Sequence, residues 1–253
     1  MNTITKKYLV STFLISWLLW GSVAIAGKVG VKFLMFGSPL GTILYVLGGV
    51  MPAICEIFLK KANSSKEEFK CFMKSIVNPK HSVLMYIYAI GGAMVIQAIP
   101  VFFGLTPVKQ PLYIGFLMII PMIIGGGLEE IGWRGLLQPE LEKKYPHIIA
   151  AVSVGIIWAV WHLPLWFIEG TNQQNMNFMW FCINAIMLSF FIGSVTYVSK
   201  SIFMAILAHA SINAFWEVME ATNEILPSII LLVFVIIVTM VIDFFAGRKN
   251  NNH

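Results

Sequence analysis

The stretch Gly125-Gly126-Gly127-Leu128-Glu129-Glu130-Ile131-Gly132-Trp133-Arg134 sets two adjacent carboxylates and a guanidinium at the end of an apolar run. Residues 110–128, immediately upstream, carry no charge. Downstream, His162 interrupts a second apolar run (WAVWHLPLW), and His209 with Asn213 interrupts a third (LAHASINAF). Ionisable groups inside a bilayer are costly unless paired or solvated in a cavity, so they mark candidate functional positions.

The rest of the chain makes a bilayer the expected environment. Of the 253 residues, 58% are hydrophobic and 11% charged, more apolar surface than a soluble domain needs. A helical span needs roughly 20 apolar residues. Runs near 8–27, 39–59, 82–103, 112–130, 148–168, 178–198, 201–219 and 226–246 meet that pattern. The expectation is an all-α polytopic membrane protein of about eight transmembrane helices. It forms a single membrane domain over 1–253, with its functional core at about 110–220.

The basic residues alternate in side. Lys6, Lys7, Lys60, Lys61, Lys66, Lys70, Lys74, Lys80, Lys143, Lys144, Lys200, Arg248 and Lys249 fall on one set of loops, and only Lys28, Lys32 and Lys109 on the other. The positive-inside rule then predicts that both termini are cytoplasmic. The net charge of +5 is mostly this topology signal, and nucleic acid is not an expected partner. Lys6, Lys7 and the Ala24-Ile25-Ala26 sequence also imitate a cleavable signal peptide. The long apolar run and the charge asymmetry favour a retained first span.

Cys55, Cys71 and Cys182 lack metal or disulfide spacing. Residues 60–80 read either as an amphipathic interfacial helix, with Phe69, Phe72, Met73 and Ile76 at helical spacing, or as a solvated linker. Pro52, Pro100, Pro121 and Pro164 fall in or near spans, where they kink or end helices. Trp158, Trp161 and Trp166 read mostly as lipid or interface aromatics.

Helical spacing assembles the polar residues. Glu130 and Arg134 are four apart and meet on one face as an ion pair. Glu129 lies about 100° round the helix, free to face a cavity as a general base. Trp158 and His162 share a face, as do His209 and Asn213, with Glu217 a further turn along. In the resulting assembly Glu129 and His162 orient and deprotonate a water, and His209 and Asn213 supply donors where an oxyanion develops. Gly125, Gly126 and Gly127 allow close approach of helices or of a substrate backbone. Other hydrolytic signatures are absent: there is no HExxH, no GxSG-type serine motif on a span, and Asp243 is the sole aspartate.

These motifs resemble the CPBP family, the CAAX-protease and bacteriocin-processing (Abi) intramembrane proteases, of type II CAAX prenyl endopeptidase kind. The carriers are EExxxR at Glu129–Arg134, aromatic-xxxH at Trp158–His162, and HxxxN at His209–Asn213. Trp158 stands where the eukaryotic-type pattern has Phe, which reads as a conservative packing change. The resemblance implies a membrane endopeptidase with Glu129 as the water-activating carboxylate, His162 as its partner, His209 and Asn213 on the oxyanion side, and Glu130 and Arg134 in support. It leaves metal dependence open. No cofactor is assigned, and zinc, if used, would take Glu129, His162 and His209. The expected partners are the lipid bilayer and a membrane-associated peptide or protein substrate. The Asn-, Lys- and Ile-rich composition suggests a low-GC bacterium and its plasma membrane, which disfavours prenylated substrates. A non-catalytic immunity or scaffolding protein is the competing class, and a proton-coupled transporter a third.

Overall fold

The computed structural model describes residues 2–220, 222 and 224–250. Apolar runs of membrane length satisfy their own backbone groups as helices, and here each expected run does so. The helices are α1 (Thr3–Val29), α2 (Pro39–Asn63), α3 (Lys66–Ile76), α4 (Val83–Phe102), α5 (Leu112–Ile124), α6 (Gly127–Glu142), α7 (His147–Trp161), α8 (Phe178–Ser199), α9 (Ile202–Trp216) and α10 (Ile225–Asn250). Among the described residues no strand forms, and the single β-bridge pairs Val108 with Met219.

The count of eight spans is refined. Six helices are long and apolar enough to cross a membrane, and α5 with α6 makes a seventh if the pair, bent by 46°, is one span. The expected run at 201–219 folds as the 15-residue α9, which reaches only about 22 Å against a hydrocarbon thickness of about 30 Å. It is also internal. Ala205, Ala208, Ala210, Ile212 and Phe215 are fully buried, and α4, α5, α6 and α8 pack around it. Exposed apolar side chains lie on the outer helices instead, such as Ile230, Ile237 and Phe245 on α10.

Within residues 60–80, Lys66–Ile76 forms a helix. Ser65 caps α3 in a reciprocal box with Glu68, and the N–H of Ser65 donating to Glu68 holds that carboxyl below its usual range. Phe72 and Ile76 pack with Ile131 and Ile206, so α3 leans on α6 and α9. Pro52, Pro100 and Pro121 sit inside α2, α4 and α5. Pro164 instead follows α7, in the 3₁₀ turn Leu163–Phe167. Because the residue before a proline resists the α conformation, α7 stops there and leaves His162 as its C-cap.

Trp158 and Trp161 correct the sequence reading. Both are buried rather than lipid-facing. The Trp166 indole is tied to the Met176 carbonyl at 2.7 Å. Trp161 joins the core beside Trp20 and Trp133.

Candidate active site

The glycine run breaks the α5–α6 path. Gly126 adopts φ +149°, a conformation closed to most side chains. A Cβ there would strike Asn213 Nδ2 and come within 2.9 Å of His209 Nε2. A Cβ on Gly127 would meet the Ile206 carbonyl at 2.9 Å. The two glycines therefore do different things: Gly127 lets α6 touch the α9 backbone, and Gly126 keeps space in front of a histidine and an amide. Gly126→Ala is expected to be strained and to fill that space. Turnover should fall by two orders of magnitude or more, with a lower melting temperature, both read on detergent-purified protein.

Beyond the break the chain turns through one 3₁₀ turn at Gly127–Glu129, one α turn at Glu130–Gly132 and a π segment at Trp133–Leu137. Such π segments widen a helix and recur at functional sites. The two glutamates diverge as their spacing requires. Glu130 Oε2 pairs with Arg134 Nη1 at 2.8 Å. Its other oxygen, Oε1, lies 2.6 Å from His209 Nδ1, a contact that helical spacing within one element does not reveal. Arg134 Nη2 also donates to Ser189 Oγ at 3.1 Å, and Ser189 Oγ donates to the Ala151 carbonyl at 2.8 Å. The buried chain His209–Glu130–Arg134–Ser189 thus joins α9, α6, α8 and α7.

Glu129 turns the other way, into a cavity of about 470 Å³ that it shares with His162, His209, Asn213, Trp158 and Gly126. Its Oε2 accepts from the Trp158 indole at 2.6 Å and from the Trp133 indole at 3.4 Å. Trp158 is therefore more than packing: a phenylalanine at that position would have no N–H to offer. The His162 ring is wedged among Trp158, Trp161 and Phe181. Its Nδ1 is 2.9 Å from the Trp158 carbonyl. A carbonyl only accepts, so Nδ1 carries the proton and Nε2 is left as an acceptor. Asn213 Nδ2 donates one hydrogen to the Gly125 carbonyl at 3.0 Å, leaving its second N–H.

All seven residues singled out in the sequence, Glu129, Glu130, Arg134, Trp158, His162, His209 and Asn213, converge on this cavity or its immediate support. The conditional zinc ligands Glu129, His162 and His209 line the cavity without closing on a common point. Among the described residues no three His, Cys, Asp or Glu side chains are arranged to hold a metal ion, and Glu129 Oε2 is occupied by indole donors. Glu129, His162 and His209 do not fit a zinc site in this arrangement.

Two further acids, one buried and one half-buried, lie within apolar helices. Glu56 is buried on α2, where its place inside an apolar run was the available signal. Asp243 on α10 accepts from Ser194 Oγ at 2.5 Å and lies 3.5 Å from His147 Nε2. It fastens α10 to α8 and α7, away from the cavity.

Fold and site together define a polytopic helical membrane protein with a glutamate–histidine cavity enclosed by its helices. Residues 111–215 match the family model described as type II CAAX prenyl endopeptidase, Rce1-like. The chain is also similar to a CAAX prenyl protease 2 of Methanococcus maripaludis, with 26% identity over 87% of this chain and 86% of that one.

Proposed function

We propose that the chain is an intramembrane endopeptidase that hydrolyses a peptide bond with a water activated by Glu129 and His162. The observation that carries this reading is the Glu129 carboxylate, held through Oε2 by the two indoles. That arrangement leaves Oε1 without a protein hydrogen bond among the described residues, in a cavity that His162 also lines. A water between Oε1 and His162 Nε2 loses a proton to Glu129 as its oxygen attacks the scissile carbonyl carbon. Negative charge then develops on the carbonyl oxygen, in the space kept open by Gly126. His209 Nε2 and the free N–H of Asn213 donate there. His209 donates from Nε2 in its doubly protonated form, which the developing oxyanion favours during the reaction and which Glu130 at Nδ1 supports. When the tetrahedral species collapses, the C–N bond breaks and Glu129 returns its proton to the leaving amine.

Trp158 and Trp133 act as positioning residues through Glu129, and Arg134 and Ser189 through Glu130. The substrate is a membrane-associated peptide or protein. The relative's printed name points to a prenylated tail, whereas the composition of this chain favours an unprenylated bacterial peptide. The lysine-rich loops favour cytoplasmic termini, the Asn-, Lys- and Ile-rich composition favours a bacterial plasma membrane, and one membrane domain spans the chain.

His209→Ala and Asn213→Ala are each expected to slow turnover about 100-fold, the usual cost of one oxyanion donor, without unfolding the protein. A strong chelator is expected to leave wild-type turnover unchanged. Stoichiometric zinc in active protein, lost in His209→Ala, would overturn the glutamate mechanism and establish a metalloprotease. A non-catalytic role predicts instead that purified protein cleaves no membrane peptide, and that these substitutions affect folding alone.

A further inference from the structure

The cavity holding Glu129 does not end at Asn213. A second chamber of about 460 Å³ is lined by Lys109, Asn172, Gln174, Trp216, Glu217 and Glu220. Asn172, Met176, Trp216 and Glu217 line both chambers, so the second is a polar antechamber to the first. Its charges are unequal. Lys109 Nζ is neutralised by Glu220 at 3.0 Å. Glu217 is exposed and forms no ion pair or hydrogen bond among the described residues.

Glu217 also sits where a carboxylate is electrostatically out of place. It is the C-cap of α9, and the C-terminal end of a helix already carries partial negative charge, which favours cations and opposes anions. The helix end and the carboxylate reinforce one another at a concave mouth. This pairing does nothing for the stability of α9, and it supplies a subsite for positive charge.

We propose that Glu217 is a specificity-determining residue that selects a lysine or arginine side chain on the substrate peptide. This inference rests on the endopeptidase reading and names the chemistry of its substrate. His209, Asn213 and Glu217 succeed one another at four-residue intervals along one face of α9. Glu217 therefore lies about 6 Å beyond Asn213 and about 12 Å beyond His209 along the helix axis. An extended peptide advances about 3.3 Å per residue. The basic side chain selected is accordingly two to four residues from the scissile bond. Asn172 and Gln174 supply neutral polar contacts to the intervening backbone.

The test uses detergent-purified full chain and a peptide library made by digesting a bacterial proteome with a glutamate-specific protease, which leaves lysine and arginine inside the peptides. Peptides retained by Glu129→Gln protein are sequenced by mass spectrometry and compared with those retained by the Glu129→Gln, Glu217→Lys double variant. Cleavage sites made by wild-type protein are mapped in parallel. Lysine and arginine should be enriched about five-fold in the first set, the scale of one partly solvated ion pair. The enrichment should give way to aspartate and glutamate in the second and weaken with added salt. In cleaved peptides the basic residue should stand two to four positions from the new terminus. Retained sets of identical charge composition would overturn the role of Glu217 even if wild-type protein cleaves. A charge-dependent difference in retention without any cleavage would support Glu217 as a cation subsite and sink the endopeptidase reading instead.

Discussion

Glu129→Gln is expected to abolish peptide cleavage, by a factor of 10³ or more, while the protein remains folded and inserted. The amide is isosteric with the carboxylate and can keep its oxygen toward the indoles of Trp158 and Trp133, which donate at 2.6 and 3.4 Å. Its nitrogen then faces the cavity in place of Oε1 and cannot take a proton. General-base catalysis contributes about 10²–10⁴ in rate, and the amide adds a misplaced donor where the water should be held. The check is turnover against melting temperature on the same preparation. Undiminished turnover would remove Glu129 as the base. His162→Ala should be nearly as severe, since the water loses its second anchor.

Arg134→Ala should fail through stability. The guanidinium pairs with Glu130 at 2.8 Å, and both side chains are almost fully buried. Removing one partner of a buried pair leaves an uncompensated charge, at a cost of about 3–5 kcal/mol. It also frees the Ser189 hydroxyl and loosens the link from α6 to α8. For a chain of this size a melting temperature lower by about 10 °C is expected, together with lost activity because Glu130 no longer holds His209 in one place. Glu130→Gln in the same protein should recover part of the stability, because the stranded charge is gone, without restoring turnover. An unchanged melting temperature for Arg134→Ala would mean that the pair is not the structural element described here.

How far the sequence could be read depended on the range of the interaction. Glu130 with Arg134, Trp158 with His162 and His209 with Asn213 are each within one turn of a helix. A periodicity of 3.6 residues is enough to place each pair on a common face. The apolar runs were equally local: each is long enough to close its own backbone hydrogen bonds, so each was recognisable as a helix without knowing its neighbours. The tryptophans were misread because an indole is equally suited to a membrane interface and a core. Burial of Trp158 and Trp161 follows from which helices surround α7, and no local pattern encodes that.

The chain's composition, its apolar periodicity and its short-range charge spacing determined by themselves that this is a helical membrane protein with polar residues set into its spans, because those features act over one or two helical turns. Tertiary structure alone decided that His209 on α9 meets Glu130 rather than Glu129, that Trp158 donates to Glu129 across 29 positions of sequence, that Glu56 lies buried, and that Asp243 accepts from Ser194. It also decided that α9 is buried among α4, α5, α6 and α8. Those outcomes depend on how the helices stack and on the sharp turn at Gly126. A contact between distant segments is set by the packing of every side chain between them, and spacing along the chain carries no record of it.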